Sequence, residues 1–297
     1  MFARTDLALE RREMAGECDV DGIVSNETRF GNTKVTSISI KNAYGAKMLQ
    51  KPIGEYITLE VPPFSDDSGL FDGRIDVLKN EIRKMLPDEG TVLVAGLGNR
   101  AITPDSLGPR VAKLIFSTRH IEGEIARSAG LGSLRSVVSC ETGVLGETGM
   151  ESAEVIEGIV KTVKPSAVIA VDALASRNLS RLGCTVQLSD TGINPGSGVG
   201  NTRHAISEKT LGVPVIAVGV PTVVDASTLV CDLVSNVDEN EKQKIIKSLE
   251  PRGERMIVTP REIDILTERA ARFVAMGINC ALNPELDPQD ILSLVTE

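Results

Sequence analysis

The chain has no tryptophan, two tyrosines, six phenylalanines and only two histidines, His120 and His204, in 297 residues. Two histidines cannot make a three-histidine zinc site and leave little choice for a Ser-His-Asp triad. Cysteine is also scarce: Cys18, Cys140, Cys184, Cys231 and Cys280 are odd in number, scattered and never spaced C-x-x-C. That excludes a disulfide framework or a zinc knuckle and fits a reducing compartment. No run approaches the ~18 consecutive apolar residues that span a bilayer, and the opening MFARTDLALERREM lacks the apolar stretch of a signal peptide. The expectation is a cytoplasmic protein with no membrane partner. Positive charge is in deficit, with 32 Lys+Arg against 41 Asp+Glu and a net charge of −9. A chain without a basic footprint is not expected to bind nucleic acid directly.

What is present is an ordinary globular composition, 41% hydrophobic and 25% charged. The length is ample for a core that needs no staples. If the protein is a hydrolase, carboxylates are the side chains left to do the work.

No repeat, low-complexity tract or linker divides the chain. Up to about residue 88 the pattern is α+β: a short helix over Leu7 to Ala15, strands over Ile23–Phe30, Thr33–Ile40 and Tyr56–Val61, then a helix from Asp72 to Met85. Gly31-Asn32 signals a hairpin between the first two strands. From residue 89 onward buried strands alternate with helices. TVLVAGLGN, SLRSVVS, SAVIAVDAL, CTVQLSD and VPVIAVGV read as strands, with helices over Asp105 to His120 and Met150 to Val163. The last stretch is helical by pattern, over Ser227–Asn236, Glu239–Leu249, Pro260–Met276 and Pro288–Leu294, with Thr259-Pro260 as an N-cap and N1 pair. The fold class is α/β: a mainly parallel central sheet flanked by helices, with a smaller N-terminal α+β part.

In such a sheet the ligand crevice lies beyond the carboxyl ends of the strands. Asp172 stands in an otherwise apolar strand, where a carboxylate is costly without a partner or a purpose. Asp105 follows the first strand, where taken alone it reads first as a helix cap. Brought together, the two would share a proton, and such a pair hydrolyses peptides without histidine or metal. Other residues beside the same strand ends are Asn99, Thr103, Glu141, Ser176 and Asp190, with the glycine-rich Gly196, Ser197 and Gly198 in a loop able to cradle an anion. Asp190-Thr191-Gly192 resembles the signature of pepsin-like proteases, but that signature belongs to all-β lobes. GLGNRA fits a dinucleotide fingerprint only in spacing, because Pro104 delays the helix and no acid ends a second strand. Cys140 reads as a structural thiol. His204 leaves open a metal reading in which it joins Asp105 and Asp172.

The longer motifs carry a resemblance. Arg4-Thr5-Asp6-Leu7-Ala8, GLGNRAITPDSLGP at 96–109, ETG at 141–143, VDALASR at 171–177, DTGINPGSGVGN at 190–201, VGVPTVVDA at 218–226 and MIVTPREID at 256–264 occur in collinear order. Together they resemble the germination protease family of spore-forming bacteria. The resemblance implies an atypical aspartic endopeptidase, active without a cofactor or metal, that degrades small acid-soluble spore proteins when a spore germinates. It implies a homotetramer in the forespore or spore core, made as a self-processing zymogen with a fold like the hydrogenase-maturation peptidases. The family's two carboxylates fall on Asp105 and Asp172. Its self-cleavage, after an acid and before a hydrophobic residue followed by Ala, falls between Asp6 and Leu7, with Ala8 next and Glu10 shortly after. Residues 1–6 would then be the propeptide and 7–297 a single peptidase domain. One departure is Ala3, where the family prefers an acid four positions before the cut. The alternative that the residues allow is a metal-dependent peptidase of the hydrogenase-maturation type using Asp105, Asp172 and His204.

Overall fold

A computed structural model describes residues 4–16, 20–66, 72–121, 134–195, 204–233, 244, 248 and 256–296. The apolar runs from residue 92 onward become the parallel half of a sheet with nine strands among the described residues. Strands β4 (Val92–Gly96), β5 (Val137–Glu141), β6 (Ala167–Ser176) and β8 (Val215–Asp225) lie in the order β5-β4-β6-β8, all parallel. β4 and β8 are buried throughout and β6 at all but one residue, as continuous apolar runs require.

The run CTVQLSD, which the alternation would place in the parallel set, forms β7 (Thr185–Ser189) and runs antiparallel to β8. Beyond it the sheet continues antiparallel through β3 (Gly54–Glu60), β2 (Thr33–Ile40) and β1 (Ile23–Phe30). The N-terminal α+β residues therefore extend the same sheet through the pairing of β3 with β7. The Gly31-Asn32 turn joins β1 to β2 as expected, with Gly31 at φ 57°. A two-residue strand, β9 (Ile257–Val258), pairs with the end of β8.

Helices cover both faces. On one face α3 (Arg74–Met85), α4 (Leu107–Lys113) and α9 (Ile263–Leu282) place Leu78, Ile82, Leu107, Val111, Val274 and Ile278 against Val92, Val94, Ile169, Val171 and Val218. On the other, α6 (Ser152–Val163) sets Ile156 and Val160 on Leu93, Ala95, Val168, Ala170 and Val215. A third cluster joins α1 (Ala8–Met14) and α2 (Ala43–Leu49) to β2 and β3 through Leu9, Ile38, Ile40, Leu49 and Tyr56. The short α5 (Leu145–Thr148) and α7 (Glu208–Leu211), with α8 (Ala226–Leu233) and α10 (Pro288–Thr296), complete the described helices.

Two helices depart from the sequence pattern. The helix expected over Asp105 to His120 is only α4, preceded by a 3-10 turn at Thr103–Asp105. Its end is set by Asn279 of α9, whose Oδ1 accepts from the Phe116 N–H at 2.9 Å and whose Nδ2 donates to the Leu114 carbonyl at 2.9 Å. His120 consequently lies exposed beyond the helix. Thr259-Pro260 does not cap a helix: the Pro260 carbonyl accepts from the Ile263 N–H in a turn, and α9 starts at Ile263. The helix expected over Glu239–Leu249 lies outside the described residues apart from Lys244 and Ser248.

Candidate active site

The loop after β4 explains the glycines of GLGNRAITPDSLGP. Gly98 has φ 112°, and a Cβ on it would stand 2.1 Å from the Asp105 carbonyl oxygen. A Cβ on Gly108 would stand 2.2 Å from the Leu97 oxygen and 2.4 Å from the Val171 oxygen. These glycines are there for close backbone approach, which presses the 3-10 turn and the start of α4 onto the end of β4 and the middle of β6. Thr222 of β8 ties the turn down from the other side, its Oγ1 donating to the Pro104 carbonyl at 2.7 Å. Asp105 does not cap α4. Its Oδ2 accepts instead from the Asn99 N–H at 2.7 Å, and the half-buried residue lines a cavity of about 740 Å³.

Asp172 lines the same cavity. It lies inside β6, which runs on to Ser176, and is 7% exposed. Its Oδ1 accepts from the Ala173 N–H at 2.9 Å. Asp172 pairs in register with Gly219 of β8, and Gly219 pairs with Gln187 of β7. Register partners point to one face of a sheet, so Asp172 and Gln187 flank a residue that has no side chain.

The first described residues run into this cavity, which Thr5 and Asp6 line. Asp6 lies alongside β6: its N–H donates to the Ala175 carbonyl at 2.9 Å, and the Ala175 N–H donates to Asp6 Oδ2 at 2.9 Å. The Asp6 carbonyl oxygen accepts from Lys51 Nζ at 2.7 Å and from Gln187 Nε2 at 3.0 Å. Leu7 and Ala8 are fully buried, and the Ala8 N–H donates to Gln187 Oε1 at 2.6 Å. Glu10, 2% exposed, accepts from the N–H groups of Arg177 at 2.7 Å and Asn178 at 2.9 Å and from the Thr5 hydroxyl. Burial pushes the Lys51 ammonium below the usual lysine range, partly offset by the Asp6 carboxylate and reinforced by Arg11. Tyr56, also on the wall, is pushed up to about 12 by burial and donates to the Pro52 carbonyl.

Of the residues singled out by sequence, Asp105, Asp172 and Asp6 meet at one cavity. Asn99, Thr103, Glu141, Ser176 and Asp190 do not line it. Asn99 supplies only its N–H to Asp105, while its side chain accepts from the Ala101 N–H. The Thr103 carbonyl accepts from Ser106, Glu141 meets the exposed Arg100 at 3.4 Å, and Ser176 Oγ donates to the Asn178 carbonyl. Asp190 accepts from the Glu55 N–H at 2.8 Å, although its neighbours Thr191 and Gly192 do line the cavity. Gly196, Ser197 and Gly198 lie outside the described residues. His204 is exposed and off the cavity wall, so it does not join the two aspartates as a metal ligand. Among the described residues no three His, Cys, Asp or Glu side chains converge to hold a metal ion. Cys140 is pushed up to about 11 by burial, which keeps it a thiol.

Lys51 and Gln187 escaped the sequence reading. Gln187 left a trace, a long polar side chain inside the apolar run CTVQLSD. Lys51 left none, since it sits on a polar connection between α2 and β3.

Residues 3–237 and 231–294 match the Peptidase_A25 family, described as Germination protease. The germination protease of Clostridium perfringens is 42% identical over 97% of both chains. That of Caldanaerobacter subterraneus is 42% identical over 98% of both. The Priestia megaterium germination protease is 32% identical over 97% of this chain and 95% of its own. Among solved structures, the NiFe hydrogenase maturation protease HycI from Thermococcus kodakarensis aligns with 72% of this chain and 99% of its own, at 16% identity and a TM-score of 0.38. No helix among the described residues is long and apolar enough to cross a membrane. With a family match over nearly its whole length and relatives above 40% identity, the chain belongs to the germination protease family.

Proposed function

We propose that this protein is the endopeptidase that initiates degradation of small acid-soluble spore proteins, using Asp105 and Asp172 to activate water, and that it matures by cutting itself between Asp6 and Leu7. Family membership makes it a peptide-bond hydrolase of spore germination. The finer reading rests on one observation. Two carboxylates from different loops and strands line one cavity, and residues 5–6 enter it with the Asp6 peptide carbonyl already held by donors.

Two carboxylates sharing a site share a proton. The ionised one takes a proton from water, whose oxygen adds to the Asp6 carbonyl carbon while the carbonyl π pair moves onto oxygen. Collapse returns that pair and breaks the bond to the Leu7 nitrogen, which leaves with a proton from the protonated carboxyl. Asp6 supplies the acidic residue before the cut, Leu7 the hydrophobic one after it and Ala8 the small one next. Substrates of the mature enzyme would present the same sequence, Glu or Asp followed by a hydrophobic residue and Ala. A homotetramer in the forespore or spore core belongs to the same reading. The surface offered for assembly is β1, an edge strand exposed along nearly all its length with Val24 and Phe30 outward.

The test is Asp172→Asn, which keeps the size and the acceptor for Ala173. It should lower cleavage of a spore-protein substrate by about 10²–10⁴-fold and leave the folded protein intact. Activity at the wild-type level would sink the reading.

A further inference from the structure

We infer that Lys51 Nζ and Gln187 Nε2 form the oxyanion site of this peptidase: they bind the scissile carbonyl oxygen and stabilise the negative charge it gains when water adds. The inference rests on the self-cleavage reading above, because it takes the Asp6 carbonyl to be the one attacked.

The geometry is that of an electrostatic stabiliser. Two donors from different elements converge on one peptide oxygen, at 2.7 and 3.0 Å, inside the cavity that Asp105 and Asp172 also line. Such donors act on developing charge only if they are positioned before it appears and shielded from water. Both donors are held in place, with Gln187 buried and Lys51 half-buried. Gln187 is 8% exposed, and its amide orientation is dictated by the backbone: the Ala8 N–H needs an acceptor, which turns Oε1 toward Ala8 and Nε2 toward Asp6. Lys51 is placed by the end of α2, where Gln50 takes the left-handed conformation at φ 53° and ψ 40°. An ammonium contributes a full charge to the oxyanion, and burial makes each donor count for more than it would in water.

The sheet register adds the third element. Asp172, Gly219 and Gln187 form one row across β6, β8 and β7. Two strand spacings, roughly 9–10 Å, separate the outer members. Between them the missing side chain of Gly219 makes room for Leu174, whose Cγ would stand 2.5 Å from a Cβ there. The two ends of the row divide the chemistry between them. The acid handles protons and the amide holds the oxygen.

A mechanistic consequence follows from lone-pair count. A peptide oxygen has two lone pairs, and in the uncleaved chain Lys51 and Gln187 take both. The proton on the carboxyl pair is therefore not needed to polarise the carbonyl and is kept for the Leu7 nitrogen. Once residues 1–6 depart, the same two donors are open to the carbonyl of the next substrate.

The test follows self-cleavage of the full chain by mass spectrometry, as the first-order appearance of a chain beginning at Leu7. Gln187→Glu is the decisive variant, because it keeps an oxygen for the Ala8 N–H but offers the Asp6 carbonyl no donor. Lys51→Met removes the ammonium and Lys51→Arg restores a charge. Lys51→Met and Lys51→Arg carry the test if the Glu variant does not fold. Gln187→Glu and Lys51→Met should each slow the cut by about 10²–10³-fold, with partial recovery in Lys51→Arg. Hydrogen exchange of the N-terminal peptide containing Ala8 should stay as slow as in the wild type. Wild-type rates in these variants while Asp172→Asn is inactive would overturn the oxyanion assignment and leave the function standing. Loss of exchange protection in step with loss of cleavage would also overturn it, since the donors would then only anchor the segment. Normal cleavage in Asp172→Asn, or a wild-type chain never cut at Asp6–Leu7, would remove the self-cleavage reading itself.

Discussion

At the residue scale, the carboxylates of this chain divide by what holds them. Asp172 and Asp105 each accept from a backbone N–H and line the cavity. Asp190 also follows a strand but differs in circumstance. Burial raises its carboxyl above the usual range and the like charge of Glu55 adds to this, against the Glu55 N–H that it accepts. A carboxyl raised in the folded state weakens the fold where it is ionised, and the penalty fades as pH falls through its folded value. Asp190→Asn keeps an oxygen for the Glu55 N–H and removes the charge. Its Tm should therefore exceed that of the wild type at pH 7, and the gap should shrink toward zero below about pH 4. A gap that widens in acid would contradict this account. Asp172 was legible in the sequence because a carboxylate in an apolar strand has few innocent explanations. Gln187 carries the same signal in β7, whereas Lys51 reads like any surface lysine until the fold encloses it.

At the element scale, helix limits are decided by partners far along the chain. The apolar spacing after Asp105 continues well past Lys113, yet α4 stops there because Asn279 satisfies the Leu114 carbonyl and the Phe116 N–H at once. Asn279→Ala would leave the half-buried Leu114 carbonyl and the buried Phe116 N–H without that partner, at about 1–3 kcal/mol for the buried group. Urea denaturation should report a loss in that range, and a loss under about 0.5 kcal/mol would mean that water or a neighbour replaces the amide. The N-terminal segment is held in the same non-local way. Glu10 begins α1 as an ordinary first-turn acid, but its buried carboxylate is fastened to the backbone after β6. That bond and the Gln187 amide hold residues 6–8 still against the cavity. Nothing in local spacing distinguishes such a helix start from a solvated one.

At the scale of the whole molecule, one sheet joins the antiparallel N-terminal strands to the parallel core through the β3–β7 and β7–β8 pairs. Unfolding should accordingly be a single event. Probes placed in β2 and in β6 should lose structure at the same denaturant concentration, and two separated midpoints would show that the N-terminal block is an independent unit. The α/β class and most strand positions were readable from the chain itself, because buried strands need unbroken apolar runs, and the family was legible through the resemblance of its collinear motifs. The sequence also narrowed the acids to a few strand-end candidates, including Asp105 and Asp172. What only the tertiary structure decided is which groups meet. The direction of β7, the end of α4 and the convergence of Lys51 and Gln187 on the Asp6 carbonyl all depend on contacts between residues far apart in the chain. Local spacing determines which face of an element is buried. It carries no information about which distant donor will stand opposite a given oxygen, because that is set by strand register and packing once the whole sheet has formed.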